Sequence, residues 1–292
     1  MTIPRRQISE LVAQYQLEPS LIDIYVEGVF DKRVLTWFIE ESGVKQNIKI
    51  ITSDAIDVSD DLLKHYSLNL NSNRSKVIAA AKEFFANVPS ARILCVVDKD
   101  YDKYLQRPNY KEPNLAFTDY NSLDLYWVNE KIWKKIMLLS FGYDQEESCS
   151  IFTRLFNIAQ NIFLMRLANE SLKLELALDG FCKPKYIDID DLVFDAKKYL
   201  KAVLVTAGKM SNYENVLHEM ECFRSKLSAS HRNDIRGHDF FSLLYYYLKK
   251  KKNHVKIGDE NSFQVVLMGC VELQDLMHEP LFRRILKFIE PS

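Results

Sequence analysis

Glu27, Asp98 and Asp100 combine side-chain type and spacing in a way that suits divalent-cation chemistry. Glu27 sits in Tyr25–Arg33 (YVEGVFDKR), at the end of an apolar, β-branched run, and Gly28 beside it allows a close turn into a helix. Asp98 and Asp100 sit in Val96–Asp102 (VVDKDYD), just past the strongest strand signal in the chain. A two-residue spacing puts both side chains on one face while the backbone stays extended. Carboxylates held side by side repel each other, and a divalent cation relieves that repulsion. Hard oxygen donors suit Mg²⁺ or Mn²⁺, ions that keep several waters and meet substrate phosphates. Such an ion orients water, lowers its pKa and steadies charge on phosphoryl oxygens, so phosphodiester hydrolysis is the chemistry these parts suit. Glu27 would either coordinate the ion or accept a proton. A single acid at a strand end also makes a good helix cap, turn former or solvated side chain. That alternative loses weight when Glu27 and the Asp98/Asp100 pair fall at the mouth of one sheet.

The elements that must position these acids follow from hydrophobic period. Strands are expected at Ile22–Val26, Ile48–Ile51 and Arg92–Val97, with another at Leu115–Thr118 ending in acid at Asp119. Helices are expected at 31–41 and 75–88, with a turn of helix near 60–65 and loop at 69–75. Strand, helix, strand, helix, strand makes a parallel α/β sheet, whose ligands bind at the carboxyl ends of the strands. From residue 130 onward the pattern is helical: 130–139, 149–169, 190–200, 212–227, 238–251, 260–276 and 281–289. Leu172–Leu178 alternates charged and apolar residues and reads as a half-exposed strand or a short helix. The expected organisation is α/β: a parallel-sheet catalytic core with an N-terminal extension over 1–128, and a large, mainly helical region over 129–292. That region would serve substrate binding, dimerisation or partner binding, or pack into the same domain.

Composition narrows the classes. The 292 residues are 47% hydrophobic and 27% charged, which excludes disorder as the main state and supplies a sizeable core. Eight Gly and eight Pro leave little material for a turn-rich sandwich or barrel. No apolar run approaches about 18 residues, and the start carries Arg5 and Arg6 without an apolar signal core. A soluble, cytoplasmic, non-membrane protein is the expectation. The five cysteines are odd in number, widely spaced and without a CxxC pair, so scattered thiols in a reducing compartment account for them. His218 and Cys222 share a helical face but have no matching second pair for zinc. Neither a Walker phosphate loop nor a dinucleotide fingerprint occurs.

The net charge is −1, so any anion-binding surface must be local. Between Arg224 and Lys256 nine Lys or Arg face only two acids, Asp234 and Asp239. Arg232, Arg236, Lys249, Lys250, Lys251 and Lys252 from this stretch are candidates for holding a nucleic-acid backbone or a partner. A solvated helix end is the competing reading for Lys249–Lys252.

VEG at Val26–Gly28 and VVDKD at Val96–Asp100 resemble the TOPRIM fold shared by topoisomerases, primases and OLD-type nucleases. TDYNSLD at Thr118–Asp124 and GHDFF at Gly237–Phe241 resemble more specifically a family of TOPRIM-like proteins found beside ATPases, the TOPRIM effectors of PARIS anti-phage systems. The broad motifs cover residues 22–128, and GHDFF extends the resemblance through much of the chain. By that resemblance Glu27 matches the TOPRIM glutamate, and Asp98 and Asp100 match its DxD metal ligands. Asp124 falls where relatives often carry an acid and would support a second metal. His238 and Asp239 match the late His-Asp pair, with His238 a candidate catalytic group and Asp239 a supporting one. Asp102 matches no required position and is read as supporting. The resemblance further implies an endonuclease toxin restrained by an ABC/AAA-type ATPase sensor, active as a homodimer once phage is sensed, with tRNA the preferred substrate. The residue pattern itself is common to RNA and DNA chemistry. The alternative is a catalytically inactive TOPRIM-like scaffold.

Overall fold

Short apolar runs bounded by Gly, Asp and Pro become buried strands here, and the longer amphipathic runs become helices. A computed structural model describes residues 5–106, 110–228, 231–251 and 258–290. The chain divides into two compact units: Met1–Lys99, Pro108–Asp119 and Glu272–Ser292 form one, and Asp100–Arg107 with Tyr120–Val271 form the other. The division expected at residue 128 followed a change in sequence character. Division by contact instead leaves the first unit at Asp100 and returns the C-terminal segment to it.

The first unit is built on a four-stranded parallel sheet of Ile22–Val26 (β2), Ile48–Thr52 (β3), Arg92–Val97 (β5) and Leu115–Phe117 (β6), in the order β3-β2-β5-β6. Arg6–Gln7 (β1) and Ile56–Asp57 (β4) form a separate two-residue parallel ladder. Ile22 pairs with Ile48 on one side and with Arg92 on the other, and Cys95 pairs with Leu115. Every residue of β2 is buried, and β5 is buried from Ile93 onward, as expected for parallel strands covered on both faces.

One face carries Tyr25, Ile93, Cys95 and Val97, packed against Ile8–Leu17 (α1), Asp60–His65 (α3) and Asn73–Asn87 (α4) through Leu11, Tyr15, Leu63, Val77, Ile78 and Phe84. Strand alternation sends Ile24, Val26, Leu94 and Val96 to the opposite face, where they are also buried. Val29–Glu41 (α2) and Pro280–Ile289 (α13), preceded by Leu273–Met277 (α12), complete this unit, and Phe38 meets Phe282 with ring centroids 4.7 Å apart. The helix α1 carried no recognised signal in the sequence, and α4 begins at Asn73, inside the segment expected to be loop.

The second unit is helical. Its hub is Gln145–Ser171 (α7), whose 27 residues span about 40 Å and bury Ile162, Phe163, Leu164, Leu167 and Ala168 completely. Around it lie Asp102–Leu105 (α5), Glu130–Phe141 (α6), Ala196–Thr206 (α8), Tyr213–Arg224 (α9), Gly237–Lys251 (α10) and Glu260–Met268 (α11), with a small hairpin of Ile187–Asp188 (β7) and Val193–Phe194 (β8).

Three local expectations change. The run at 260–276 is two helices, broken between Gly269 and Glu272. The helix expected from residue 190 starts at Ala196, behind the hairpin and with Asp195 as its cap. Leu172–Leu178 is neither strand nor helix. Lys173 and Glu175 take positive φ of 51° and 52°, which breaks both periods while Leu174, Leu176 and Leu178 stay buried. Among the described residues no helix is long and apolar enough to cross a membrane.

Candidate functional site

Strand order marks the place in the first unit where open α/β sheets bind ligands by general rule. The chain steps from β2 to β3 on one side, then crosses back to place β5 on the other side of β2. Open α/β sheets bind ligands outside the carboxyl ends of the strands where the order reverses. Here that point lies between β2 and β5. Glu27 follows β2, Asp98 follows β5, and Oε1 of Glu27 accepts the Asp98 backbone N–H at 2.7 Å. Two of the three acids singled out by spacing are therefore neighbours at the switch point.

Their surroundings are polar and organised. The Glu27 carbonyl accepts from the Ser53 hydroxyl at 2.7 Å, and Ser53 is fully buried. Arg74, at the start of α4, donates from Nε to the Asp98 carbonyl at 2.8 Å and lies over the Phe117 ring at 5.7 Å. The Lys99 amide donates to Thr118 Oγ1 at 2.9 Å, and its ammonium donates to the Asp119 carbonyl at 2.9 Å. The Asp119 carboxylate accepts the Leu281 amide at 3.0 Å and so serves the first turn of α13. Gly28 has an ordinary extended backbone, with φ −145°, and its N–H donates to the Asp31 carboxylate at 2.9 Å. A Cβ on Gly28 would lie 3.8 Å from Asp31 Oδ2, so the turn after Glu27 does not require glycine.

Asp100 begins the second unit. Its φ of 51° takes the chain out of the extended form, so the alternation that would align its side chain with that of Asp98 does not apply. The Asp100 amide donates to the Asn121 carbonyl at 2.8 Å. Asp102 opens the short helix α5.

In the same unit Asp124 packs against the N-terminus of α10. A Cβ built on Gly237 would lie 2.0 Å from Asp124 Oδ1, so glycine is the side chain that this approach permits. Burial pushes the Asp124 carboxyl up, opposed by a hydrogen bond from Ser122 and by the charges of His238 and Arg236. Asp239, buried in the first turn of α10, takes both arms of the Arg166 fork at 2.7 and 2.9 Å. That ion pair ties α10 to α7 and accounts for the buried carboxylate. His238 is exposed, with Nδ1 3.5 Å from the Ser242 hydroxyl, which donates to Glu260.

The basic candidates separate into different jobs. Arg232 donates to the Val128 carbonyl at 2.8 Å and to the Tyr120 hydroxyl at 2.6 Å, and lies over that ring at 4.8 Å. Lys251 pairs with Asp190, and Arg236 lies 4.0 Å from Asp239. Lys249 and Lys250 are exposed in the last turn of α10, with Lys249 donating to Tyr245 at 3.3 Å. Lys252 lies outside the described residues. The His218 ring and the Cys222 sulfur meet at 3.6 Å on α9, and all five cysteines are free.

The donor set at the switch point is chemically apt for Mg²⁺ or Mn²⁺, since Mg²⁺ commonly takes one or two carboxylates and completes its shell with water and phosphate. Glu27 and Asp98 would hold it. Among the described residues there is no group of three or more His, Cys, Asp or Glu arranged to hold a metal ion. Arg74, Thr118 and Ser53 escaped the sequence reading. Thr118 lies inside the TDYNSLD piece, whereas Arg74 sat in a polar stretch with no periodic signal. Scans against known protein families and curated proteins gave no match for this chain.

Proposed function

We propose that this chain is a metal-dependent, phosphodiester-cleaving nuclease of TOPRIM type, with its centre at Glu27 and Asp98. The observation that carries the reading is the convergence of these two acids on neighbouring parallel strands at the switch point, joined by the 2.7 Å hydrogen bond. When bound, Mg²⁺ or Mn²⁺ would supply Lewis-acid stabilisation of charge on a phosphoryl oxygen. Asp98 would ligate. Glu27, whose Oε1 is anchored by the Asp98 amide, would ligate or take up a proton. Asp100, Asp124 and His238 are separate tests, because the second unit holds them.

By the same proposal the chain is a toxic effector in phage defence, held by an ABC/AAA-type ATPase and acting as a homodimer on tRNA. The substrate and partners rest on the TOPRIM-effector resemblance alone. A catalytically inactive scaffold is the second reading, favoured by the lack of a three-residue metal-holding group among the described residues.

One experiment separates them. Purified protein, alone and co-expressed with an ATPase partner that is then removed, is incubated with total cellular RNA and DNA with and without Mn²⁺, and cut ends are mapped. The nuclease reading expects metal-dependent cleavage, abolished in Glu27→Gln and Asp98→Asn. Cleavage that survives both variants moves the centre elsewhere, and no cleavage in any state supports the scaffold.

A further inference from the structure

Where β5 ends at Val97, Asp98 and Lys99 leave the regular strand, and their backbone groups need other partners. Three side chains supply them, from the ends of β2 and β6 and from the first turn of α4. Glu27 accepts the Asp98 N–H at 2.7 Å, Arg74 Nε donates to the Asp98 carbonyl at 2.8 Å, and Thr118 Oγ1 accepts the Lys99 N–H at 2.9 Å. The peptide linking Asp98 to Lys99 is thus gripped at both of its polar groups, by Arg74 on the oxygen and by Thr118 on the nitrogen.

Water would satisfy such a loop without help. The chain instead commits an arginine that is only 7% exposed and a threonine that is 1% exposed. Burying a permanently charged guanidinium is unfavourable unless it is well bonded, and here it meets a backbone carbonyl and the Phe117 ring. The result is a rigid platform under one acid, of the kind that a ligand-holding side chain requires to stay within about 0.5 Å of its working position.

We propose that Arg74 and Thr118 are positioning residues for Asp98, fixing the peptide from which its carboxylate projects. The importance of that position for a cation rests on the metal-centre reading above. Supporting residues of this kind typically change metal affinity by about 10–100-fold when removed.

The test uses the full chain and three variants: Thr118→Val, which removes the hydroxyl at constant shape, Thr118→Ser, which restores it, and Arg74→Lys. Two measurements are made on each folded protein: amide hydrogen exchange at Asp98 and Lys99, and Mn²⁺ binding by electron paramagnetic resonance titration. Positioning predicts a protected Lys99 amide in the parent chain and loss of that protection in Thr118→Val, with β2 and the body of β5 unchanged. Thr118→Ser should regain it. Mn²⁺ affinity should fall about tenfold or more in Thr118→Val and Arg74→Lys and recover in Thr118→Ser. An unprotected Lys99 amide in the parent, or a parent that binds Mn²⁺ together with a folded Thr118→Val that binds it equally well, overturns the proposal. If the parent protects Lys99, Thr118→Val loses that protection and no protein takes up Mn²⁺, positioning of Asp98 stands and the metal-centre reading falls. Should Arg74→Lys fail to fold, the two threonine variants carry the same decision.

Discussion

At the scale of single residues, two glycines beside candidate acids behave in opposite ways. A Cβ on Gly237 would meet Asp124 Oδ1 at 2.0 Å, whereas one on Gly28 would meet Asp31 Oδ2 at an ordinary 3.8 Å. Gly237→Ala should lower stability by about 1–3 kcal/mol, the usual range for overpacking, while Gly28→Ala at the head of α2 should cost less than about 1 kcal/mol. Urea unfolding of the two variants reads this directly. Asp23 offers a pH test. It is 4% exposed, accepts the Tyr15 hydroxyl at 2.6 Å through Oδ2, and has no hydrogen-bond partner at Oδ1 among the described residues. Burial pushes its carboxyl up, against the Tyr15 hydrogen bond and the charges of Lys49 and Arg6. A folded-state pKa above the unfolded one gives stability that is complete below the unfolded value and lost as pH rises through the folded one. The parent chain should therefore lose stability relative to Asp23→Asn as pH climbs out of the ordinary carboxyl range, measured by urea unfolding at a series of pH values. A gap between the two proteins that is constant with pH would place the Asp23 titration at its ordinary value.

At the scale of elements, α13 is decisive for the sheet unit. Leu281, Phe282, Ile285 and Ile289 are buried, and Arg284 reaches the carbonyls of Pro113 and Leu115 at 2.7 and 2.9 Å. Arg92, the first residue of β5, reaches back to the Phe288 and Glu290 carbonyls at 2.9 Å. A helix at the far end of the sequence thus covers the sheet that positions Glu27 and Asp98. Phe282→Ala should cost about 3–5 kcal/mol by transfer and cavity terms, and Asp119→Ala, which removes a first-turn partner of the same helix, about 1 kcal/mol. Chemical denaturation with the sheet's amide exchange as probe separates loss of this unit from loss of the helical one. In the helical unit the Arg166–Asp239 pair joins α7 to α10. Asp239→Ala leaves a guanidinium with 13% side-chain exposure short of its main partner and should cost about 3–5 kcal/mol. The pair gives the Asp239 carboxylate a role in joining these two helices.

At the scale of the molecule, the near-zero net charge makes nucleic-acid binding a question of local surface. Lys249 and Lys250 are exposed at the end of α10, whereas Arg232 is engaged inside its own unit. If the proposed action on RNA holds, Lys249→Glu with Lys250→Glu should weaken RNA binding and flatten its salt dependence by about 1.4 in the log–log slope, at about 0.7 per phosphate contact for single strands. Fluorescence anisotropy across a salt series measures it, and an unchanged slope removes this helix end from the interface. Arg232→Ala should instead lower stability by about 1–3 kcal/mol through two lost charged-donor hydrogen bonds and the lost ring contact.

Much of the sheet was legible because hydrophobic runs report directly which backbone is buried. β2 and β5 lie where the apolar, β-branched runs lie, and Glu27 and Asp98 leave their ends as the sequence suggests. Neighbourhood was not legible in the same way. That β5 lies beside β2, making Glu27 and Asp98 partners, is a product of strand order, and order arises from pairings between residues far apart in the chain. The same distance hid Arg74 and Thr118, whose roles exist only once α4 and β6 meet the end of β5. It also hid the engagement of Asp119 with α13 and of Asp239 with Arg166. Side-chain type and local period determined where acids leave strands and where helices run. Only tertiary packing decided which acids meet at the end of the sheet and which tie helices in place, because a carboxylate's surroundings are set by the groups brought to it from elsewhere.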